Sequence, residues 1–232
     1  MIEGKTQDMH LDSPLNHILS QLSLVTVDYG KRPILNNTIQ GWFDCLGGKP
    51  SEVVVVDGSN NPEIQTVYWR MFQQGSIDKL QISHSTQNYL GNKEKYTKEY
   101  TAGAISSKPY ILIFKANSQA YQMVYKHWLV EAIESLNREE VFAVSASHNR
   151  PCETNAWSDW YFSRKCRHHF ILLKRDRFMA AAREFADDCI LSGFQDENPA
   201  QSDQHPYSIE IAFEQYMERY NLYTLIKVKE PS

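Results

Sequence analysis

Glu52-Val53-Val54-Val55-Val56-Asp57-Gly58-Ser59-Asn60-Asn61-Pro62 decides how the rest of the chain is read. Four consecutive valines are too apolar for a strand with one wet face and too β-branched for a comfortable helix, so they predict a strand covered on both sides. The run stops at Asp57-Gly58-Ser59. Asn61-Pro62 then supplies a cap and a first-turn proline for a helix with Ile64, Val67, Tyr68, Met71 and Phe72 on one side. Asp57 therefore falls at the carboxyl end of a central strand, the edge where open α/β sheets bind ligands, and an exposed carboxylate there accepts hydrogen bonds from a base or a ribose. A plain Asp-Gly turn with no ligand explains the same residues.

The chain has 232 residues, enough to bury a full core without disulfides or metals. A net charge of -4, a pI near 6.1 and no lysine or arginine block argue against a protein built to hold a nucleic-acid backbone. No apolar run is long enough to cross a bilayer, and the polar start Met1-Ile2-Glu3-Gly4-Lys5 lacks the apolar segment of a secretion signal, so a cytoplasmic protein is expected. Cys45, Cys152, Cys166 and Cys189 have no metal-ligand spacing and read as reduced thiols.

Upstream of the valine strand, residues 1–20 read as a polar arm with an amphipathic turn through Leu15, Ile18 and Leu19. Leu22–Val27 is a first strand ending at Asp28-Tyr29-Gly30, and a helix from Pro33 follows, closed by Gly47-Gly48. Downstream, Gly75 stops the second helix and Ile77–Ile82 makes a third strand. A β-α-β-α-β order implies right-handed crossovers, and the expected fold is α/β, a mostly parallel central sheet with helices on both faces. A weak helical region from about Lys93 to Ser107, interrupted by Gly103, precedes a strand at Tyr110–Phe114 cut off by Lys115-Ala116-Asn117. A long helix capped by Ser118 and a strand at Val141–Ser145 come next. His148 to Arg167 is polar and aromatic rather than another βα unit. A strand at His169–Leu173, helices at Phe178–Ser192 and Ser208–Tyr220, and a last strand at Leu222–Val228 complete the chain.

The order of elements and the residues at the strand ends together resemble a glycosyltransferase of the GT-A fold, of the large family 2 type. The pieces that carry the likeness are Ser23–Val27 with Asp28-Tyr29, Gly30-Lys31-Arg32-Pro33, Val53–Ser59, Tyr100-Thr101-Ala102-Gly103-Ala104 and Tyr110–Phe114. Residues 21–118 resemble a nucleotide-sugar-binding half, and 119–232, more loosely, the acceptor-side half of the same domain. The resemblance implies a nucleotide-sugar donor across the carboxyl edge of the sheet, with Asp28, Tyr29, Asp57 and Ser59 about the nucleoside and Lys115 and Asn117 near the diphosphate. It also implies a glycan, lipid or small-molecule acceptor; a homo-oligomer is left open.

One departure matters more than the matches. Where such enzymes end the fourth strand in Asp-x-Asp, holding a divalent cation on the donor phosphates, this chain reads Lys115-Ala116-Asn117. Hard cations need carboxylate oxygens and a lysine repels them, so no ordinary metal site is expected. Either Lys115 replaces the cation at the leaving diphosphate, or it is a solvated lysine in a domain without transfer activity.

Inverting transfer needs a carboxylate to take the acceptor's proton. The helix start matching the family's base position is Tyr207-Ser208-Ile209-Glu210, which makes Glu210 the first candidate, followed by Asp203 and Asp159. An acidic residue in a first helical turn also simply suits the helix dipole. Trp157, Trp160 and Tyr161 offer flat faces for an acceptor sugar, or else plug the core. Arg164, Lys165, Arg167, His168 and His169 are basic candidates for the phosphates, though adjacent histidines on a strand face opposite ways and make a poor metal pair. His148 and His205 read as surface residues. Three functions compete: a glycosyltransferase, a catalytically silent GT-A-like domain that binds nucleotide or glycan or acts in assembly, and a nucleotidyltransferase. The last lacks a glycine-rich phosphate loop, since only Gly30 lies near the first strand.

Overall fold

The valine strand is enclosed along its whole length, with Val53 to Val56 each 0–1 % exposed. Each such side chain contributes about 1.5–3 kcal/mol relative to exposure. The computed structural model describes residues 12–28, 36–59, 61–82, 93–115, 128–146, 154–157, 160–166, 170–194 and 209–227. In chain order the elements are α1 (Asp12–Ser20), β1 (Leu22–Asp28), α2 (Asn36–Leu46), β2 (Glu52–Asp57), α3 (Pro62–Gln73), β3 (Lys79–Ile82), α4 (Lys93–Ile105), β4 (Tyr110–Lys115) and α5 (Trp128–Leu136). They continue with β5 (Val141–Ala146), β6 (Thr154–Trp157), β7 (Trp160–Ser163), β8 (Phe170–Lys174), α6 (Arg175–Phe194), α7 (Ile209–Tyr220) and β9 (Tyr223–Lys227).

The strands form one sheet in the order β3-β2-β1-β4-β8-β5-β9-β7-β6. Its first part is the parallel βα unit the sequence predicts: β2 pairs parallel with β1 and β3, and β1 with β4. The second part corrects the expectation of a mostly parallel sheet. β8 runs antiparallel between β4 and β5, β5 and β9 are parallel, and β6, β7 and β9 are joined antiparallel. The crossover from β4 through α5 to β5 leaves a one-strand slot that β8 fills from the other direction. Phe170-Ile171-Leu172-Leu173 is buried on both faces, and that apolar pattern is the same for either strand direction.

Both faces are covered. Leu24, Val53, Val55, Leu112 and Phe114 pack against α1, α2, α3 and α5, while Val25, Val27, Val54, Val56, Ile111 and Ile113 pack against α4, α6 and α7. α1 seats Ile18 and Leu19 in the core. The predicted punctuation is seen in detail. Asn61 Oδ1 accepts the Glu63 amide at 2.9 Å, Gly75 (φ 72°) follows α3, and Gly47 (φ 80°) follows α2 with Gly48 N donating to Phe43 O at 2.8 Å.

Three local expectations are corrected. α4 is continuous through Gly103, because this glycine faces α6 and a Cβ there would overlap the Phe178 ring. α6 starts at Arg175 and runs through Gly193 rather than closing on it. The aromatic stretch before β8 contains strands, β6 and β7, that extend the sheet.

At the amino end of β2, Glu52 is 4 % exposed yet fully bonded. Its Oε1 accepts from Lys79 Nζ (2.7 Å) and Ser107 Oγ (2.6 Å), its Oε2 from Ser23 Oγ (2.6 Å) and the Ser107 amide (2.8 Å). Burial alone would raise this carboxyl. The Lys79 ammonium and the serine donors outweigh burial and hold it at about 2.

Candidate functional site at the carboxyl rim

At the other end of the same strands, β1, β2 and β4 finish side by side. Asp28 stands opposite Asp57, and Val27 opposite Lys115. Strand alternation sends the side chains of Asp28 and Asp57 to the α2/α3 side, with Leu24, Val53 and Val55. By the same rule Lys115 falls on the α4/α6 side, with Ile111 and Ile113. The rim thus carries its two carboxylates on one face and a half-buried lysine on the other, two strand spacings, or about 10 Å, from Asp57.

The Asp57-Gly58-Ser59 turn is tied at its backbone: Gly58 N donates to Asp28 O at 2.9 Å and Ser59 N to Asp57 Oδ1 at 2.8 Å. The Tyr68 hydroxyl, from α3, donates to Asp28 Oδ2. Asp57 is 0 % and Ser59 2 % exposed, which corrects the expectation of an open carboxylate. Among the described residues, four buried side-chain polar atoms have no hydrogen-bond partner: Thr26 Oγ1, Asp57 Oδ2, Ser59 Oγ and Thr97 Oγ1. All four lie towards this rim, on β1, at the end of β2 and in the rim-side half of α4. Buried polar atoms are almost always paired, so Asp57 Oδ2 and Ser59 Oγ, two residues apart at the end of β2, mark this turn as a candidate site.

Burial pushes the Asp57 carboxyl above its ordinary range, and the Asp28 charge adds to this; Ser59 beside it and the Lys98 ammonium work the other way. Lys98, on α4, is 3 % exposed, and its Nζ donates to Gly58 O at 3.3 Å. A Cβ on Gly58 would overlap the end of the Lys98 side chain, which lies directly against this turn. Sequence reading passed over Lys98. The only signal was a lysine in a helix of weak amphipathic pattern; nothing local announces that it is buried.

The other predicted residues are dispersed. Glu210 stands in the first turn of α7, half-exposed. Burial, with the charges of Glu210 and Glu214 added, pushes the Cys166 thiol up. Trp160 is 3 % exposed and part of the core, so it offers no face to a sugar. Its Nε1 donates to Glu131 Oε1 at 2.7 Å, and Lys227 Nζ sits 4.6 Å above its ring and 3.3 Å from the same carboxylate. Trp157 contributes backbone to β6. Arg164 bonds Asn221 Oδ1 (2.7 Å) and the Tyr223 hydroxyl (3.0 Å), and Lys165 pairs with Glu214 (2.8 Å). Both follow Ser163, which stands opposite Thr224 near the start of β9, away from the rim. Tyr29, Asn117, His148, Asp159, Arg167, His168, His169, Asp203 and His205 lie outside the described residues. Among the described residues no three His, Cys, Asp or Glu side chains stand together as a metal site, and no helix is long and apolar enough to cross a membrane.

No protein-family model and no curated protein matches the chain. Among solved structures it is similar to the mannosyltransferase PcManGT from Pyrobaculum calidifontis, in complex with GDP-Man and Mn2+, with a TM-score of 0.50 and 16 % identity. The match covers 77 % of this chain and 55 % of that chain, so this chain spans little more than half of its length. At such identity the likeness is one of fold: the α/β architecture here is shared with a glycosyltransferase.

Proposed function

We propose that this chain binds a nucleoside-diphosphate sugar across the carboxyl rim and transfers the sugar to a glycan, lipid or small-molecule acceptor, as a GT-A enzyme of the family 2 type. The observation that carries this reading is the buried Asp57 carboxylate with the Ser59 hydroxyl beside it, neither Asp57 Oδ2 nor Ser59 Oγ making a well-formed hydrogen bond, at the edge where α/β sheets take nucleotides. In this reading Asp57 accepts N–H groups of the base, and Asp28 with Tyr68 fixes the neighbouring strand end. The diphosphate crosses towards Lys115, whose ammonium stabilises the charge that builds on the leaving group. Glu210 takes the proton of the acceptor hydroxyl as the C–O bond to the sugar forms, with Asp203 as the alternative base. The fold relative was solved with Mn2+. In this reading Lys115, which ends β4, supplies the positive charge at the diphosphate.

The test is thermal unfolding with UDP, GDP and ADP, each with chelator present. A cognate diphosphate at a hundred times its Kd adds about 2.7 kcal/mol. For a chain of this size that raises Tm by about 5–10 °C. Asp57→Ala abolishes the rise and Lys115→Ala reduces it. No rise with any nucleoside diphosphate at millimolar concentration would overturn the proposal and favour a silent GT-A-like domain.

A further inference from the structure

The mechanism above assigns nothing to Lys98, yet a lysine 3 % exposed is an uncommon thing to build into a fold. Its stem fills the space beside Gly58 that any larger residue would need, and its ammonium donates to the Gly58 carbonyl, one residue beyond Asp57. α4 brings it in from the face of the sheet opposite to the one the Asp57 side chain takes. The two charges therefore meet around the strand end rather than as a contact pair.

We propose that Lys98 is the positioning residue and internal counter-ion of Asp57, offsetting the paired strand-end carboxylates so that Asp57 meets the donor nucleotide as an acceptor. The inference rests on the nucleotide reading above for its ligand, but its electrostatic half stands on the protein alone. Among the described residues, the groups around Asp57 come from β1, β3 and α4. Asp28 is its partner on β1, carrying the Tyr68 hydroxyl from α3; Ile82 is its partner on β3 and brings no charge; Lys98 comes from α4. Burial and Asp28 favour the protonated carboxyl, while the Ser59 hydroxyl and amide and, beyond them, the Lys98 ammonium oppose them. A protonated Asp57 would present a donor where the base N–H needs an acceptor. Nucleotide binding should therefore weaken as pH falls, and weaken from a higher pH when Lys98 is gone.

The test follows the Asp57 side-chain carboxyl carbon by NMR across pH in the ligand-free, full-length protein, with its resonance assigned by loss in Asp57→Asn. Lys98→Met and Lys98→Gln remove the charge, Lys98→Arg restores it, and Gly58→Ala drives the ammonium away without touching Lys98. The expected result is a midpoint displaced to higher pH in Lys98→Met, Lys98→Gln and Gly58→Ala, with Lys98→Arg returning towards wild type. Kd for UDP or GDP, measured over the same range, rises at correspondingly higher pH in the charge-removing variants. Coincident Asp57 titrations in all these proteins would overturn the proposal, as would a loss of affinity by the same factor at every pH. Should Lys98→Met fail to fold, Lys98→Gln against Lys98→Arg decides it. If the titration moves but no nucleoside diphosphate binds at any pH, the counter-ion role stands and the transferase reading falls.

Discussion

Replacing Glu52 by Gln tests the electrostatics at the closed end of the sheet. The carboxyl lies at about 2 against an ordinary 4.5. At about 1.4 kcal/mol per pH unit, that difference makes Glu52 worth about 3 kcal/mol at neutral pH. The sign follows from the direction. A carboxyl lowered in the folded state stabilises fully above the unfolded value of 4.5 and loses that contribution as pH falls towards 2. Glutamine keeps the shape, accepts through one oxygen and sheds the charge. Lys79, with 37 % of its side chain exposed, turns to water and is not stranded, so the loss stays near this value instead of growing to that of an orphaned buried charge. At 2–4 °C per kcal/mol the variant should melt about 6–12 °C below wild type at pH 7. The assay is circular dichroism melting of both proteins from pH 7 down to 3. Their Tm values should converge as pH falls, because only wild type has this contribution to lose. A gap under about 2 °C at pH 7, or Tm curves that stay parallel between pH 5 and 3, would refute the reasoning.

Two further predictions concern packing. Gly103→Ala forces a methyl into the Phe178 ring between α4 and α6 and should cost about 1–3 kcal/mol in urea unfolding. Combining it with Phe178→Leu should give a loss smaller than the sum of the two single losses, as coupled neighbours do. Trp160→Phe keeps the ring in the core but removes the N–H that reaches Glu131 at 2.7 Å, and should cost about 1.5–3 kcal/mol by the same measurement. Because the Trp160 bond to Glu131 is already gone, Glu131→Gln in that background should add less than it does alone, leaving only the Lys227 pair to lose.

The local grammar of the first half was legible because its signals are local. Asn61-Pro62 starts α3, Gly75 and Gly47 follow helices in the left-handed region only glycine enters freely, and Val53–Val56 has too little polarity for a wet face. The same reading failed at β8, where an apolar run says "buried" but carries no direction. It failed again at β6 and β7, a stretch not read as strands, although the alternative that its aromatic residues plug the core holds for Trp160.

The candidate site divides in the same way. Sequence alone placed Asp28 and Asp57 at strand ends, since the turn residues that stop a strand sit beside the carboxylates that finish it. Only the tertiary structure decided that the two are neighbours in register, that they are buried rather than open, and that Lys98, forty positions along the chain from Gly58, lies against that turn. Burial and charge pairing are properties of the space between elements. A residue's letter and its near neighbours fix what it can do, while the packing of distant helices on one sheet end fixes which charges meet.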